Sequence, residues 1–368
     1  MSDAPAAAPP AAAARRLMAW FERNCRDLPW RHRRTAYRVW ISELMLQQTR
    51  VDQVIPYYHR FLAAFPTVTA LAAAPLDDVL KAWEGLGYYA RARNAHRTAR
   101  HVAGELRGRF PDTLDGLRAL PGIGPYTAAA VGSLAFNIDA AVLDGNVIRV
   151  LTRVLADPAP VNTPAMRRRL QGVADAWLPR GRAALFNEAM MELGATVCTP
   201  RRPACARCPL RADCRAAGEG NPEGYPHKAR RRPLPHRQVG AGIIVDDRDR
   251  VLLARRPAEG MLGGLWEFPG GGVEEGETLP QCIARELREE LGVAVRVGPH
   301  LRTVRHAFSH FTMELHGYWV RIEKGRPRPL QCDAVRWVNR ADLRTFAFPR
   351  ADIHLLDEVA KAAPFPRF

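Results

Sequence analysis

The sequence predicts a multidomain chain, an all-α domain followed by an α+β domain, and three observations lead to that expectation. Residues 15–217 repeat apolar positions at helical spacing, as in YRVWISELMLQQTRVDQVIPYYHRFLAAF. Residues 218–237, GEGNPEGYPHKARRRPLPHR, turn abruptly to Gly, Pro, Lys and Arg, the composition of a linker. Beyond them VGAGIIVDD, RVLLARR and ELHGYWVRI have strand character, and LPQCIARELREELG has the pattern of an amphipathic helix. A length of 368 residues accommodates two domains with sizeable cores.

Taken in order, residues 1–14 (MSDAPAAAPPAAAA) read as a disordered Ala/Pro tail without the basic start of a signal peptide. No apolar run reaches the length of a membrane span, so the expectation is a cytoplasmic protein with no membrane partner; a monomer is also expected. In the helical part, breaks at Pro66, Pro75, Gly85, Pro111 and Pro121 predict short helices joined by tight turns. Lys+Arg exceed Asp+Glu by 54 to 38, net +16, which favours a polyanionic partner through counterion release. Arginine-rich genomes produce the same excess, so charge supports nucleic acid without establishing it.

The helical part ends in Cys198-x6-Cys205-x2-Cys208-x5-Cys214. Four thiolates from one short loop suit a cubane 4Fe–4S cluster. Structural zinc is the competing reading, although such sites usually show two C-x2-C pairs and only one is present. Cys25, Cys282 and Cys332 show no pairing pattern.

Leu120-Pro121-Gly122-Ile123-Gly124-Pro125-Tyr126-Thr127 lies between two helical segments. Two glycines there let backbone approach a partner, and the following helix offers free N–H groups to a phosphate. An ordinary helix–turn–helix corner would look the same. With LPGIGPYTAAA, then VLDGNVIRV, then the four-cysteine loop, the order resembles the helix–hairpin–helix DNA glycosylases related to endonuclease III. LPWR-x8-WISELMLQQT is similar to the MutY branch of that family, the adenine glycosylases, and the likeness covers nearly all of residues 15–217.

The resemblance implies a monofunctional enzyme that removes adenine mispaired with 8-oxoguanine or guanine in double-stranded DNA, and a nucleoid-associated location. Members that also cut the backbone carry a lysine in the hairpin where this chain has Tyr126, and a phenol forms no imine. It also implies the cluster at Cys198, Cys205, Cys208 and Cys214. The catalytic set it implies is Glu43 as acid, Asp144 against the sugar cation, and Tyr126 with Asn146 to orient them. From local sequence alone Asp144 is an N-cap. By the same analogy Gln48 and Tyr88 wedge into the base stack, and Trp30, Arg31 and Glu188 line the adenine pocket. Gly122, Gly124 and Thr127 meet the DNA backbone.

In the second part, Gly271-x5-Glu277-x7-Arg285-Glu286-Leu287-x-Glu289-Glu290-x-Gly292-Val293 is a complete Nudix box. Glu286, Glu289 and Glu290 share a helix face that suits Mg²⁺, though none is expected to be required. The segment resembles the MutY C-terminal domain, which implies that Phe308, Ser309 and His310 of RHAFSHF meet 8-oxoguanine. Many MutY proteins have an eroded box. Its intactness here leaves a fused, active Nudix nucleotide pyrophosphatase as the alternative. The expected boundaries are residues 15–217 for the glycosylase domain with its 198–214 loop, 218–237 for a basic linker, and 238–368 for the Nudix-like domain.

Overall fold

The computed structural model describes residues 11–229, 233–362, 365–366 and 368. Its contacts divide the chain into two compact units, Met1–Ala72 with Arg97–Arg231, and Ala73–His96 with Arg232–Phe368. The helices, in chain order, begin with α1 (Ala11–Asn24), α2 (Pro29–His32), α3 (Ala36–Leu46), α4 (Val51–Ala64), α5 (Val68–Ala73), α6 (Leu76–Trp83) and α7 (Ala90–Glu105). They continue with α8 (Leu114–Ala119), α9 (Pro125–Phe136), α10 (Gly145–Leu155), α11 (Pro164–Trp177), α12 (Ala183–Thr196) and α13 (Arg215–Gly218). No helix among the described residues is long and apolar enough to cross a membrane.

Helix starts in the first unit follow local chemistry. Thr35, Thr113, Asp144 and Thr163 each accept a backbone N–H from the first turn, and Pro29, Pro125 and Pro164 occupy opening positions where a missing N–H costs nothing. One core gathers the apolar faces of α1, α10, α11 and α12, with Leu17, Leu151, Leu170 and Leu193 almost wholly buried. Gly194 on α12 exists for close approach, because a Cβ there would stand 2.5 Å from Asn146 Cβ on α10.

Two sequence expectations change at their edges. A disordered tail was expected through residue 14, but α1 begins at Ala11, and Ala13 and Ala14 are buried in that core. Alanine has the highest helix propensity, and its small side chain fits the packed face. Residues 1–10 of the expected tail lie outside the described residues. The expected 218–237 linker is also structured at its start: Val161 N–H donates to His227 O (3.1 Å), and Ala229 N–H to Asn162 Oδ1 (3.1 Å). Residues 230–232 lie outside the described residues.

The second unit contains β1 (His236–Ile244), β2 (Arg250–Arg255), β3 (Trp266–Glu267), β4 (Gly270–Gly272), α14 (Leu279–Leu291), β5 (Ala294–Ala307), β6 (Thr312–Lys324), β7 (Ala334–Asn339) and α15 (Arg350–Lys361). One sheet runs β4-β1-β6-β5 and the other β3-β2-β7; the β1–β6 pairing is parallel and the others antiparallel. Helix α14 seals one apolar cluster through Ile283, Leu287 and Leu291, and α15 seals another through Leu355, Leu356 and Val359. Helix α6 and the start of α7 also belong to this unit.

Gly194→Ala should lower the stability of the first unit by about 1–3 kcal/mol, the usual cost of overpacking. The denaturation midpoint of the full chain, followed by a probe in that unit, measures it. An unchanged midpoint would mean that α10 and α12 separate freely.

Candidate active site

Asp144 is the N-cap of α10, and both of its carboxylate oxygens accept hydrogen bonds there. Oδ1 accepts Val147 N–H at 2.7 Å, and Oδ2 accepts Asn146 Nδ2–H at 2.8 Å. Burial raises its pKa above the ordinary aspartate value, while these hydrogen bonds and the charge of Arg149 pull it back. Arg149 continues the chain of contacts, donating to Asn146 Oδ1 (2.8 Å), Gly194 O (2.7 Å) and Cys198 O (2.7 Å).

Glu43 sits on α3 among buried Trp40, Ile41, Leu44 and Met45. Burial pushes its pKa up to about 7; the Tyr126 hydroxyl, donating to Oε2 at 2.6 Å, works against that rise, and the negative charges of Asp144 and Glu188 add to it. Tyr126 itself is held well above the usual tyrosine range by burial and by both carboxylates, so it stays a neutral donor. A carboxyl near neutrality beside a carboxylate held by more hydrogen bonds and a nearby guanidinium is the pattern that separates acid from charge stabiliser.

Arg31 joins the third group. Its guanidinium donates to Glu188 Oε1 (3.0 Å), Glu192 Oε2 (3.0 Å) and Arg26 O (2.7 Å). Arg34 also pairs with Glu188, at 2.7 Å. Burial alone would raise Glu192, but hydrogen bonds from Arg26 and the charge of Arg31 outweigh it and hold the group low. Trp30 is buried with its ring edge-on to Tyr58 at 5.5 Å.

Trp30, Arg31, Glu43, Gln48, Tyr126, Asp144, Asn146 and Glu188 therefore line one cleft of about 1210 Å³ in the first unit. Gln48 is exposed and left-handed, φ +58°. The hairpin lies between α8 and α9, where Gly122 adopts φ +79°, a conformation that favours glycine. Helix α9 starts with no side-chain cap, leaving first-turn N–H groups to a partner. Thr127 is buried and its hydroxyl accepts Gln47 Nε2 at 3.4 Å, so its side chain is engaged inside the protein.

Cys198, Cys205, Cys208 and Cys214 line a separate cavity with Arg153. Among the described residues, no group of three or more His, Cys, Asp or Glu is drawn close enough to hold a metal ion. Arg153 is 1% exposed and donates to Thr199 O (2.7 Å), Pro200 O (3.0 Å), Tyr225 O (3.1 Å) and Cys198 Sγ (3.3 Å). Burial pushes the Cys208 thiol up to about 12 and raises Cys214, and the neighbouring cysteines add to both.

The remaining predicted residues lie in the second unit. Tyr88 is 46% exposed with φ +49°. Phe308, Ser309 and His310 form the tip of the β5–β6 hairpin, closed by Phe308 N–H on Phe311 O at 2.8 Å, with Phe308 stacked on Phe311 and Ser309 and His310 exposed. In the Nudix box, Arg285 donates to both oxygens of Glu277 (2.9 and 3.0 Å) and to Glu286 (3.0 Å). Burial pushes Glu290 up to about 8, helped by Glu267 and Glu286.

The sequence reasoning missed Arg26, Arg149, Arg153 and Glu192. Signals existed for three of them: two arginines interrupt the apolar helix GNVIRVLTRVL, and Glu192 follows Glu188 by one helical turn. Their partners are distant in sequence, and no local pattern reveals those.

A model of HhH-GPD superfamily base excision DNA repair proteins matches residues 41–174, and one of the NUDIX domain matches residues 240–358. The chain is similar to the adenine DNA glycosylase of Rattus norvegicus, 37% identical over an alignment 392 positions long, gaps included, which covers 92% of this chain and 76% of that protein. It is 36% identical to the adenine DNA glycosylase of Homo sapiens, over 91% of this chain and 71% of that one. Among solved structures, a thermostable thymine-DNA glycosylase matches with a TM-score of 0.52 at 29% identity, over 56% of this chain and 95% of that chain. Likeness to two glycosylases along most of its length, with both carboxylates in one cleft, means that the chain belongs to the adenine DNA glycosylases of base excision repair.

Proposed function

We propose that this glycosylase releases adenine mispaired with 8-oxoguanine or guanine, with Glu43 as the acid and Asp144 as the charge stabiliser. The observation that carries this reading is Glu43, a buried carboxyl with a pKa of about 7 hydrogen-bonded by Tyr126. Glu43 gives its proton to N7 of the flipped base, and the C1′–N9 bond breaks with its electron pair going to adenine. Asp144, held by Val147 N–H and Asn146, faces the cationic sugar, and water adds at C1′ while its proton passes to a carboxylate. Arg31, pinned between Glu188 and Glu192, fixes the wall of the base pocket. With Tyr126 in the hairpin instead of an amine, no imine to the sugar forms and the strand stays uncut.

The four cysteines fit a 4Fe–4S cluster. The donor set is four thiols lining one cavity, and at least two of those thiols are raised by burial and by each other, a penalty that bound iron removes. When bound, the cluster fixes the shape of a basic loop. Arg149 and Arg153 hold that loop through Cys198 O, Thr199 O and Pro200 O.

Reading of the mispair falls to exposed residues. Gln48 and Tyr88, both left-handed and exposed, are the wedges, and the Gly122–Gly124 hairpin with the uncapped start of α9 takes phosphate. Ser309 and His310 at the β5–β6 tip meet the opposite base, with Phe308 beside them stacked on Phe311.

Three measurements test this function. Glu43 must carry its proton to act, so adenine release on the limb of the pH–rate profile set by this group should be flat below about 7 and fall about tenfold per unit above it. Tyr126→Phe removes a bond that favours ionised Glu43, so its break should move to higher pH. Glu43→Gln should cost about 10²–10⁴-fold. A break near the ordinary glutamate range would remove Glu43 as the acid.

Anaerobically purified protein should hold about four irons per chain and absorb in the visible, and Cys198→Ser should lower both. Stoichiometric zinc with no visible absorbance would overturn the cluster.

The Ser309→Ala, His310→Ala double variant should lose on the order of tenfold in preference for 8-oxoguanine over guanine, measured as the ratio of kcat/KM values. An unchanged ratio would move the reader elsewhere.

A further inference from the structure

Tyr88 lies in a segment that sequence periodicity assigns to the helical domain, yet residues Ala73–His96 pack as part of the second unit. The attachment is specific. Glu84 Oε1 accepts Phe348 N–H at 2.9 Å, and the Tyr89 hydroxyl donates to Phe348 O at 3.1 Å, so both backbone polar groups of one buried residue are held by the turn that carries Tyr88. Lys81 reinforces the grip, donating to Glu84 Oε2 (2.5 Å) and to Phe346 O (2.9 Å). Arg93, one turn beyond, donates to Gly263 O (2.9 Å) and Gly260 O (3.1 Å).

Inside the turn the backbone is equally determined. Buried Arg91 donates to Gly87 O at 3.0 Å and to Leu86 O at 3.3 Å, and its guanidinium lies 5.4 Å from the Tyr88 ring centroid and 5.3 Å from that of Trp83. Trp83 Nε1 donates to Gly87 O at 3.2 Å. Gly85 N–H reaches the Tyr89 hydroxyl at 3.3 Å, so that one oxygen links the turn to Phe348. A left-handed, exposed tyrosine thus stands on a base that is fixed to the 346–348 backbone.

We propose that Glu84 and Tyr89 are positioning residues that register the Tyr88 wedge to the opposite-base reader through Phe348. This rests on the reading of Tyr88 as a wedge given above. Tyr88 and the Phe308–Ser309–His310 tip then belong to one unit, and an adjustment of that unit on the opposite base carries the wedge with it.

The test uses the full chain with Glu84→Ala, Glu84→Gln, Tyr89→Phe, Tyr88→Ala, and Glu84→Ala combined with Tyr88→Ala. Two quantities are read on A·8-oxoguanine duplexes: single-turnover adenine release against enzyme concentration, and fluorescence of 2-aminopurine beside the opposite base. Glu84→Ala should lower the subsaturating rate about tenfold and weaken the unstacking signal, with the saturating rate kept. Glu84→Gln, which retains an oxygen acceptor for Phe348 N–H, should recover most of the loss. In the Tyr88→Ala background Glu84→Ala should add nothing. Should Glu84→Ala fail to fold, Tyr89→Phe, alone and with Tyr88→Ala, carries the same comparison. A silent clamp variant beside a defective Tyr88→Ala would overturn the proposal and leave the wedge intact. A loss of equal size in both backgrounds would show general structural damage and also overturn it. A silent Tyr88→Ala would remove the wedge itself, and the proposal with it.

Discussion

The start of α10 is the constraint on which the catalytic unit depends. One carboxylate, Asp144, both caps the helix and faces the cleft, so its orientation is fixed by the backbone that it stabilises. The same helix then presents Asn146, Arg149 and Arg153 at successive turns. Asn146 holds Asp144, Arg149 bridges Asn146 to the carbonyl of Cys198, and Arg153 takes the carbonyls of Thr199 and Pro200. The cysteine loop and the Asp144 carboxylate thus share a single support, and Gly194 lets α12 press directly against it.

The surroundings of the two carboxylates differ, and the proposed division of roles rests on that difference. Glu43 has one hydrogen-bond donor, Tyr126, and an otherwise apolar helix face, so burial dominates. Asp144 is also buried, but it receives a backbone N–H, an amide N–H and the field of a nearby guanidinium. It also sits at the positive end of a helix dipole, which favours its ionised form. Packing therefore leaves one acid that keeps its proton near neutrality, and one carboxylate whose charged form is favoured by hydrogen bonds and a guanidinium against a burial that still raises its pKa.

Much of this was legible in the sequence, for identifiable reasons. Helix breaks such as Pro111 and Pro121 act locally, and the hairpin and the cysteine spacing are contiguous motifs. Asp144 was readable as an N-cap, and only resemblance added its chemistry. The roles of Glu192, Arg149 and Arg153 were not readable, because each is defined by a partner far away along the chain. The grouping of residues 73–96 with the second unit was hidden for a related reason. Periodicity shows that α6 has an apolar face, but not which surface covers it. Ala13 and Ala14 were misjudged because an Ala-rich stretch reads as a tail unless a core waits for it.

Gln48 and Tyr88 share a feature that packing alone does not require. Both are non-glycine residues in the left-handed region, at φ +58° and +49°, and both are exposed. Each such residue costs roughly 1–2 kcal/mol relative to ordinary backbone. Glycine would relieve that cost, yet it has no side chain to place between bases. The strain persists only if neighbouring bonds over-determine the turn, and around Tyr88 they do, through Arg91, Trp83 and Tyr89. A turn held that firmly gives a ring a fixed direction before any duplex arrives, so little ordering remains to be done on binding. On the wedge reading proposed for Tyr88, a strained turn therefore serves better than a relaxed one, because it directs the ring before a base stack has to be opened.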